Sequence, residues 1–245
     1  MSRAFDPVKL EPAYRKVASV IAARILDRTL RDGDALPTEL ELAAQLGVNR
    51  STVREALREL ESGGLMTRRR GTKRMVVARP NTGVLAHRVS RALALNDVTV
   101  DQLWEALMIL EPPAADLAAR RRSAEDLEAL RSAVARFAEP AEAEAAVAAV
   151  AVFFQAVATA ANNPALELAQ APVVTLLASS LRILIDRVPQ ARSRIRTAQR
   201  ELLAAIEAGD ADKARQWMGK HIRDFRRGFV IAGIDPGFRV SLGAD

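Results

Sequence analysis

The sequence predicts a mainly α-helical protein of two domains: an N-terminal module of three helices and a β-hairpin, then an all-α helical bundle. Three observations lead there. The chain has 245 residues, more than one domain usually holds. Hydrophobic residues make up 49% of it and aromatics only 4%, so the core must be built of Ala, Leu, Val and Ile, a composition that favours packed helices. The charge is also divided. Residues 1–80 hold 16 Lys and Arg against 10 Asp and Glu, whereas the remaining 165 residues hold 20 of each. A basic module joined to a neutral one points to a polyanionic partner for the first module alone.

The elements follow in order. EPAYRKVASVIAARILDRTLR (residues 11–31) sets Tyr14, Val17, Ile21, Ile25 and Leu26 at helical spacing, and RDGD ends that helix. In LPTELELAAQLG, Thr38 and Glu41 form a capping box for a short second helix that ends at Gly47. Asn49 can cap a third helix running to about Ser62, with Val53, Leu57 and Leu60 facing inward. LMTRRRGTKRMVV then reads as two short strands around a turn at Gly71. From Val84 to about Ile234 the pattern is helical, with helices expected near 82–95, 99–120, 123–138, 141–161, 163–187, 189–208 and 210–231. AAVAAVAVFFQAVATAA is apolar on every side and is expected to be the central helix. The tail IDPGFRVSLGAD reads as irregular, a chain end of the kind left mobile.

Several function classes fall away. With no Cys there are no disulfides and no thiolate metal sites, which fits a reducing, cytoplasmic setting. No stretch reads as a membrane span, and MSRAFDPVKLEP lacks the apolar segment of a signal peptide. Two His and no paired carboxylates at metal-ligand spacing leave acid–base catalysis without players, so an enzyme on the bundle is a remote reading.

The binding chemistry sits in ELAAQLG-VNR-STVREALREL. Two short helices joined by a tight turn, held by Ala43, Leu46, Val48, Val53 and Leu57, present the first residues of the second helix outward. Arg50 and Arg54 can grip guanine or phosphate, while Ser51, Thr52 and the helix N-terminus suit phosphate. The hairpin RRRGTKR acts as a wing. Gly71 lets its tip approach a groove, and Arg68, Arg69, Arg70, Lys73 and Arg74 supply charge. Any one of these parts is ordinary; together they describe a winged helix-turn-helix for duplex DNA.

At this point the chain resembles a known family. LPTELELAAQLGVNRSTVREALRELESGGL with a glycine-tipped wing is similar to the winged helix-turn-helix of GntR-type transcriptional regulators. LWEALMILEPPAADLAARR, FFQAVATAANNPAL and LLAAIEAGDADKARQWMGKHI resemble the helical effector domain of the FadR-type branch, called FCD. The resemblance runs from about Tyr14 to Phe229. It implies that Arg50 and Arg54 touch DNA, that Ser51 and Thr52 assist, and that Gly71 enters the minor groove; Thr38, Arg68, Arg70, Thr72 and Lys73 complete the candidate DNA-binding set. It also implies a homodimer on a palindromic operator. One departure stands in the head: Leu40 occupies a position where the family commonly has a DNA-contacting Arg.

The resemblance also implies a divalent metal in the bundle, held by an Asp and a His of a DxxFH motif and by two later His. Here AVFFQ puts Ala151 and Gln155 at the first two positions, Gln199 stands at the third, and only His221 remains. That set is a poor metal cage, so no metal or other cofactor is expected. Ile195, Gln199, Leu202 and Ile206 share one stripe, so Gln199 should be buried. Two readings stay open: a Gln155–Gln199–His221 network that only specifies packing, or a pocket whose effector takes those hydrogen bonds. Leu107, Gln155, Asn163, Gln199 and His221 are the candidate effector residues. Leu107 replaces a family Arg suited to an acidic ligand, so an apolar or amphipathic effector fits better. The expected organisation is a DNA-binding domain at 1–80, a linker and connecting helix at 81–97, an effector-binding and dimerisation domain at 98–233, and a tail at 234–245.

Overall fold

The computed structural model describes residues 11–69, 71, 74–79, 81–138 and 142–240, with only the backbone of Ser179. The chain divides into two compact units, Met1–Asn81 and Thr82–Asp245.

The first unit contains α1 (Ala13–Leu26), α2 (Glu39–Leu46), α3 (Arg50–Ser62), β1 (Met66–Arg68) and β2 (Met75–Val77). α1 stops short of the expected Arg31. Arg28 takes a φ of 65°, and the Leu30 N–H turns back to the Arg24 carbonyl at 2.8 Å, which closes the helix end. Leu26 lies beyond the buried stripe of Val17, Ala18 and Ile21 and is 76% exposed, contrary to its expected inward place. α2 has the full Thr38–Glu41 capping box and ends at Gly47, whose φ of 64° a residue with a Cβ adopts only at a cost. Asn49 occupies the N-cap of α3, but its side chain makes no capping bond, so the expected cap is absent.

α3 packs on α1, α2 and β1. Val53, Ala56, Leu57 and Leu60 meet Val17, Ile21, Leu42 and Ala43 in one apolar cluster that includes Met66, Met75 and Val77 of the hairpin. The strands pair antiparallel with Met66 opposite Val77 and Arg68 opposite Met75. The segment before α2 adds a further rung: Ala35 bridges Val76, and Leu36 N–H donates to the Met75 carbonyl at 2.9 Å. That pairing anchors β2 from its second side.

The second unit holds α4 (Thr82–Leu95), α5 (Val100–Arg121), α6 (Ala124–Ala138), α7 (Ala143–Ala160), α8 (Pro164–Arg187), α9 (Ala191–Ala208) and α10 (Ala211–Ile231). The central helix is α5, not α7. α5 packs against α7, α8, α9 and α10, whereas α7 packs on α5, α6 and α8 and leaves Val152 exposed. α7 is also long and apolar enough by length and composition to cross a membrane, which corrects the reading that no stretch is. Half of that helix is buried inside the bundle, where packing accounts for its apolar character.

Ion pairs fix the helix directions. Asp101 meets Arg226 at 2.7 Å and Asp116 meets Arg215 at 3.8 Å, so α5 and α10 run antiparallel. Arg194 with Asp224 at 3.8 Å and Glu201 with Lys213 at 3.5 Å set α9 antiparallel to α10. α5 and α9 therefore run in the same direction, and the Arg122 guanidinium donates to the Glu207 carbonyl at 3.0 Å where the two end. The tail is irregular but docked as far as Val240. Thr99 bridges Arg239, Val240 N–H donates to the Val98 carbonyl at 2.8 Å, and the Val240 side chain is buried.

Candidate nucleic-acid interface and bundle cavity

Arg50, Arg54 and Arg58 follow one another at one-turn spacing on α3, so one helix face carries three guanidinium groups. With Thr38, Leu40 and the wing residues Arg68 and Arg74, they line a groove of about 460 Å³ between the start of α2, α3 and the hairpin. Of the residues singled out from sequence, Thr38, Arg50, Arg54 and Arg68 thus come together. The Thr38 hydroxyl is already engaged, since it accepts from the Glu41 N–H and donates to the Glu41 carboxylate at 2.9 Å. Ser51 is exposed and Thr52 half-buried on the opening turn of α3. Gly71 has a φ of 79°, a conformation that permits a tight wing tip. Arg70, Thr72 and Lys73 lie outside the described residues.

Arg58 and Glu39 are among the groove residues that were not singled out. Arg58 was legible as the next turn after Arg54. Glu39 was not, because its role appears only in space. One of its carboxylate oxygens accepts from Arg50 Nε at 2.9 Å and lies 3.6 Å from Arg54 Nε. A single carboxylate thus pairs with both Arg50 and Arg54. Arg68 has its own acid, Glu61, at 3.5 Å. Leu40 is 70% exposed on the same groove.

In the bundle, a cavity of about 50 Å³ lies among α5, α7, α8, α9 and α10. Leu107, Phe154, Leu181, Ile195 and Ile222 make its walls apolar, with His221, Arg194 and Asp224 as polar lining. The His221 ring stacks on Phe154 with centroids 5.7 Å apart. Burial lowers its pKa to about 4 against the opposing pull of Asp224, so it is a neutral imidazole at pH 7.

The other expected effector residues sit elsewhere. Gln155 does not join Gln199 and His221. It points to α8, where its amide donates to Glu167 at 2.6 Å and reaches Thr159 at 3.4 Å. A charged acceptor on a half-exposed surface is a stronger partner for that amide than a buried neutral one. Asn163 caps α8 by accepting from the Leu166 N–H and is absent from the cavity wall. Gln199 is fully buried as expected, yet both its amide atoms lack a hydrogen-bond partner. The Gln–Gln–His network therefore does not form.

Sequence reasoning missed Glu111. It is fully buried on α5, neither carboxylate oxygen has a partner, and burial raises its pKa to about 8. Its place on the Leu103–Leu107–Glu111–Ala114–Ala118 stripe was the available signal.

The residues do not fit the divalent metal that the resemblance implied. Among the described residues no group of three His, Cys, Asp or Glu is placed to hold one, and Gln155, at one ligand position, is tied to Glu167.

Residues 13–76 match the model of the gntR family of bacterial regulatory proteins, and residues 102–224 match the FCD domain. The uncharacterized HTH-type transcriptional regulator Rv0494 of Mycobacterium tuberculosis is 34% identical over 169 residues, covering 68% of this chain and 69% of that protein. The uncharacterized HTH-type transcriptional regulator YcbG of Bacillus subtilis is 29% identical over 232 residues, covering 94% and 95% of the two chains. Among solved structures, a GntR protein of Streptococcus agalactiae superposes with a TM-score of 0.63 at 26% identity, over 87% of this chain and 99% of that one. The basic groove of the first unit and the helical bundle of the second are therefore the two halves of one known architecture: the chain belongs to the GntR family of DNA-binding transcriptional regulators, in the branch that carries an FCD domain.

Proposed function

We propose that the chain is a cytoplasmic, homodimeric repressor that binds a palindromic operator and responds to a small molecule held in the bundle without a metal. Residues 1–80 read the DNA, and residues 98–233 hold the effector and pair the subunits. The observation that carries this reading is the run of Arg50, Arg54 and Arg58 at one-turn intervals along α3, opening with Arg68 onto a single groove. Two subunits related by a two-fold axis would place two such helices on half-sites one helical turn apart. Repression by occlusion needs nothing beyond that docking.

The effector acts only through a difference in affinity between two arrangements of the dimer. The cavity wall on α8 suits such a link, because α4, the first helix after the DNA-reading module, packs along α8. The apolar lining around Leu107 favours an apolar or amphipathic ligand. The second reading is a ligand-independent repressor with a collapsed pocket, which the cavity's modest 50 Å³ favours. Thermal shifts with a metabolite panel separate the two.

The direct test is binding to an operator selected from random duplexes. Arg54→Ala should weaken specific binding by about 1–3 kcal/mol and relax preference at one position of each half-site. An unchanged operator affinity removes α3 as the reading helix.

A further inference from the structure

We propose that Leu40 contacts the 5-methyl group of a thymine in the major groove and so selects one base in each half-site. This rests on the reading of the first unit as the DNA-binding head and adds an apolar contact to its charged ones. The observation behind it is an aliphatic side chain standing in water among arginines. Leu40 is 70% exposed on the first turn of α2, and it lines the groove of about 460 Å³ together with Arg50 and Arg54. The other long apolar side chains on that groove, Leu57 and Met75, are buried in the core of the head.

The local fold commits Leu40 to that place. The Thr38–Glu41 capping box fixes where α2 begins, and Leu42 and Ala43 are its buried residues. Leu40 stands two residues before Leu42, about 200° around the helix, so burying Leu42 turns Leu40 to the opposite side. Its neighbour Glu39 accepts from Arg50 Nε at 2.9 Å and lies 3.6 Å from Arg54 Nε, which holds the start of α2 beside the arginine face of α3. Leu40 also borders a second, shallower hollow with Gly47, Asn49, Arg50 and Thr52. It therefore forms a ridge between two hollows, and Arg50 is the residue that shares both with it.

The base follows from chemistry. An isobutyl group cannot bond a phosphate or the polar edge of a base. Pressed against the N7 and O6 of guanine, or the amino groups of adenine and cytosine, it would strip them of water and supply no partner. Thymine is the base that presents a methyl group in the major groove. Leucine and methyl then leave water together, a gain of about fourfold in affinity per half-site, the equivalent of burying one methyl group. Deoxyribose also offers carbon surface, but it is the same at every nucleotide and gives no base preference. Because Arg50 borders both hollows, the thymine belongs beside the base pair or phosphate that Arg50 touches.

The experiment uses the full chain and the operator recovered from random duplexes. Each thymine is replaced in turn, in both half-sites, by deoxyuridine, which keeps the base pair and lacks the methyl group. Binding is read by fluorescence anisotropy. One position, beside the one at which Arg50→Ala acts, should lose about fourfold per half-site, or roughly 16-fold when both are changed. Leu40→Ala should lose about as much on the thymine operator and become indifferent to deoxyuridine there. Leu40→Met keeps the apolar reach and should restore the difference. The proposal is overturned if no thymine responds to loss of its methyl, or if the responsive position stays responsive in Leu40→Ala. Equal losses by Leu40→Ala on operator and random duplex also overturn it, by making Leu40 a sugar contact. An operator that Arg54→Ala weakens and deoxyuridine does not removes this proposal alone. Failure to recover any selective operator removes the regulator reading and this proposal with it.

Discussion

In the first unit, none of the described polar side chains is buried, and acids meet bases in short surface pairs: Glu39 with Arg50 and Arg54, and Glu61 with Arg68. The bundle does the opposite, enclosing Ser90, Glu111, Gln170, Ser180, Gln199 and His221 and leaving several of their polar atoms without partners. The head must present its polar groups to a large external polyanion, so its core can be wholly apolar. The bundle is expected to recognise something small enough to enclose, so its polar groups sit where water is scarce and each unmade bond is costly. A change in the core of either unit should therefore act through packing. A change at a polar position should act through binding in the head and through both stability and binding in the bundle.

The largest expected effect tests the packing side of that contrast. Phe229 is fully buried on α10, edge-on to Phe225 with centroids 5.1 Å apart and 5.8 Å from the ring of Phe238 in the docked tail. Phe229→Ala should cost about 3–5 kcal/mol in denaturant unfolding of the bundle. A loss below about 1 kcal/mol would mean that the tail and α10 do not share one core.

How much could be read in advance differs between the units for the same reason. The capping box at Thr38 and the left-handed Gly47 are local, and sequence spacing alone placed them. So was the arginine face of α3, because a single helix brings its own i and i+4 residues together. The bundle helices could be placed from periodicity, but not their neighbours. Gln155 went to Glu167 because of the phase of α8, which the α7 sequence does not contain. α5 became the centre because its buried face meets α7, α8, α9 and α10 at once, an arrangement its own periodicity does not contain. Glu39 escaped notice for a related reason, since its arginines come from another helix.

The next effect concerns pH. Burial raises the folded pKa of Glu111 to about 8 from an ordinary 4.5, so the native state holds a proton that the unfolded state releases. Its contribution is complete below pH 4.5 and is lost as pH rises through 8. His221 works in the reverse sense. Its folded pKa of about 4 lies below the ordinary 6.5, so its contribution is complete above 6.5 and is lost as pH falls toward 4. The two slopes oppose each other between 4.5 and 6.5, and Glu111 acts alone above that. Stability should therefore fall by about 2 kcal/mol between pH 6.5 and 8, and Glu111→Leu should flatten that limb. A wild-type profile already flat there would place the Glu111 carboxyl in contact with water or a cation.

The smallest effect is the most specific to the head. Glu39 is partly exposed, and its pairs with Arg50 and Arg54 stand in water, so their contribution to folding is about 0.2–1 kcal/mol. Their effect on binding differs in kind. DNA must displace the carboxylate before either arginine can bridge to a base or phosphate, and that cost applies to every duplex. Under the proposed reading, that cost is offset on the operator by arginines that Glu39 already orders for base contact. Glu39→Gln keeps the size and the capping region but removes the charge. It should raise affinity for random duplex by a few-fold, leave operator affinity nearly unchanged, and so lower the ratio between them. Fluorescence anisotropy on both duplexes across a salt series measures this. Equal changes on the two duplexes would make Glu39 a background charge with no part in discrimination. A greater loss on the operator than on random DNA would instead make its role one of orientation alone.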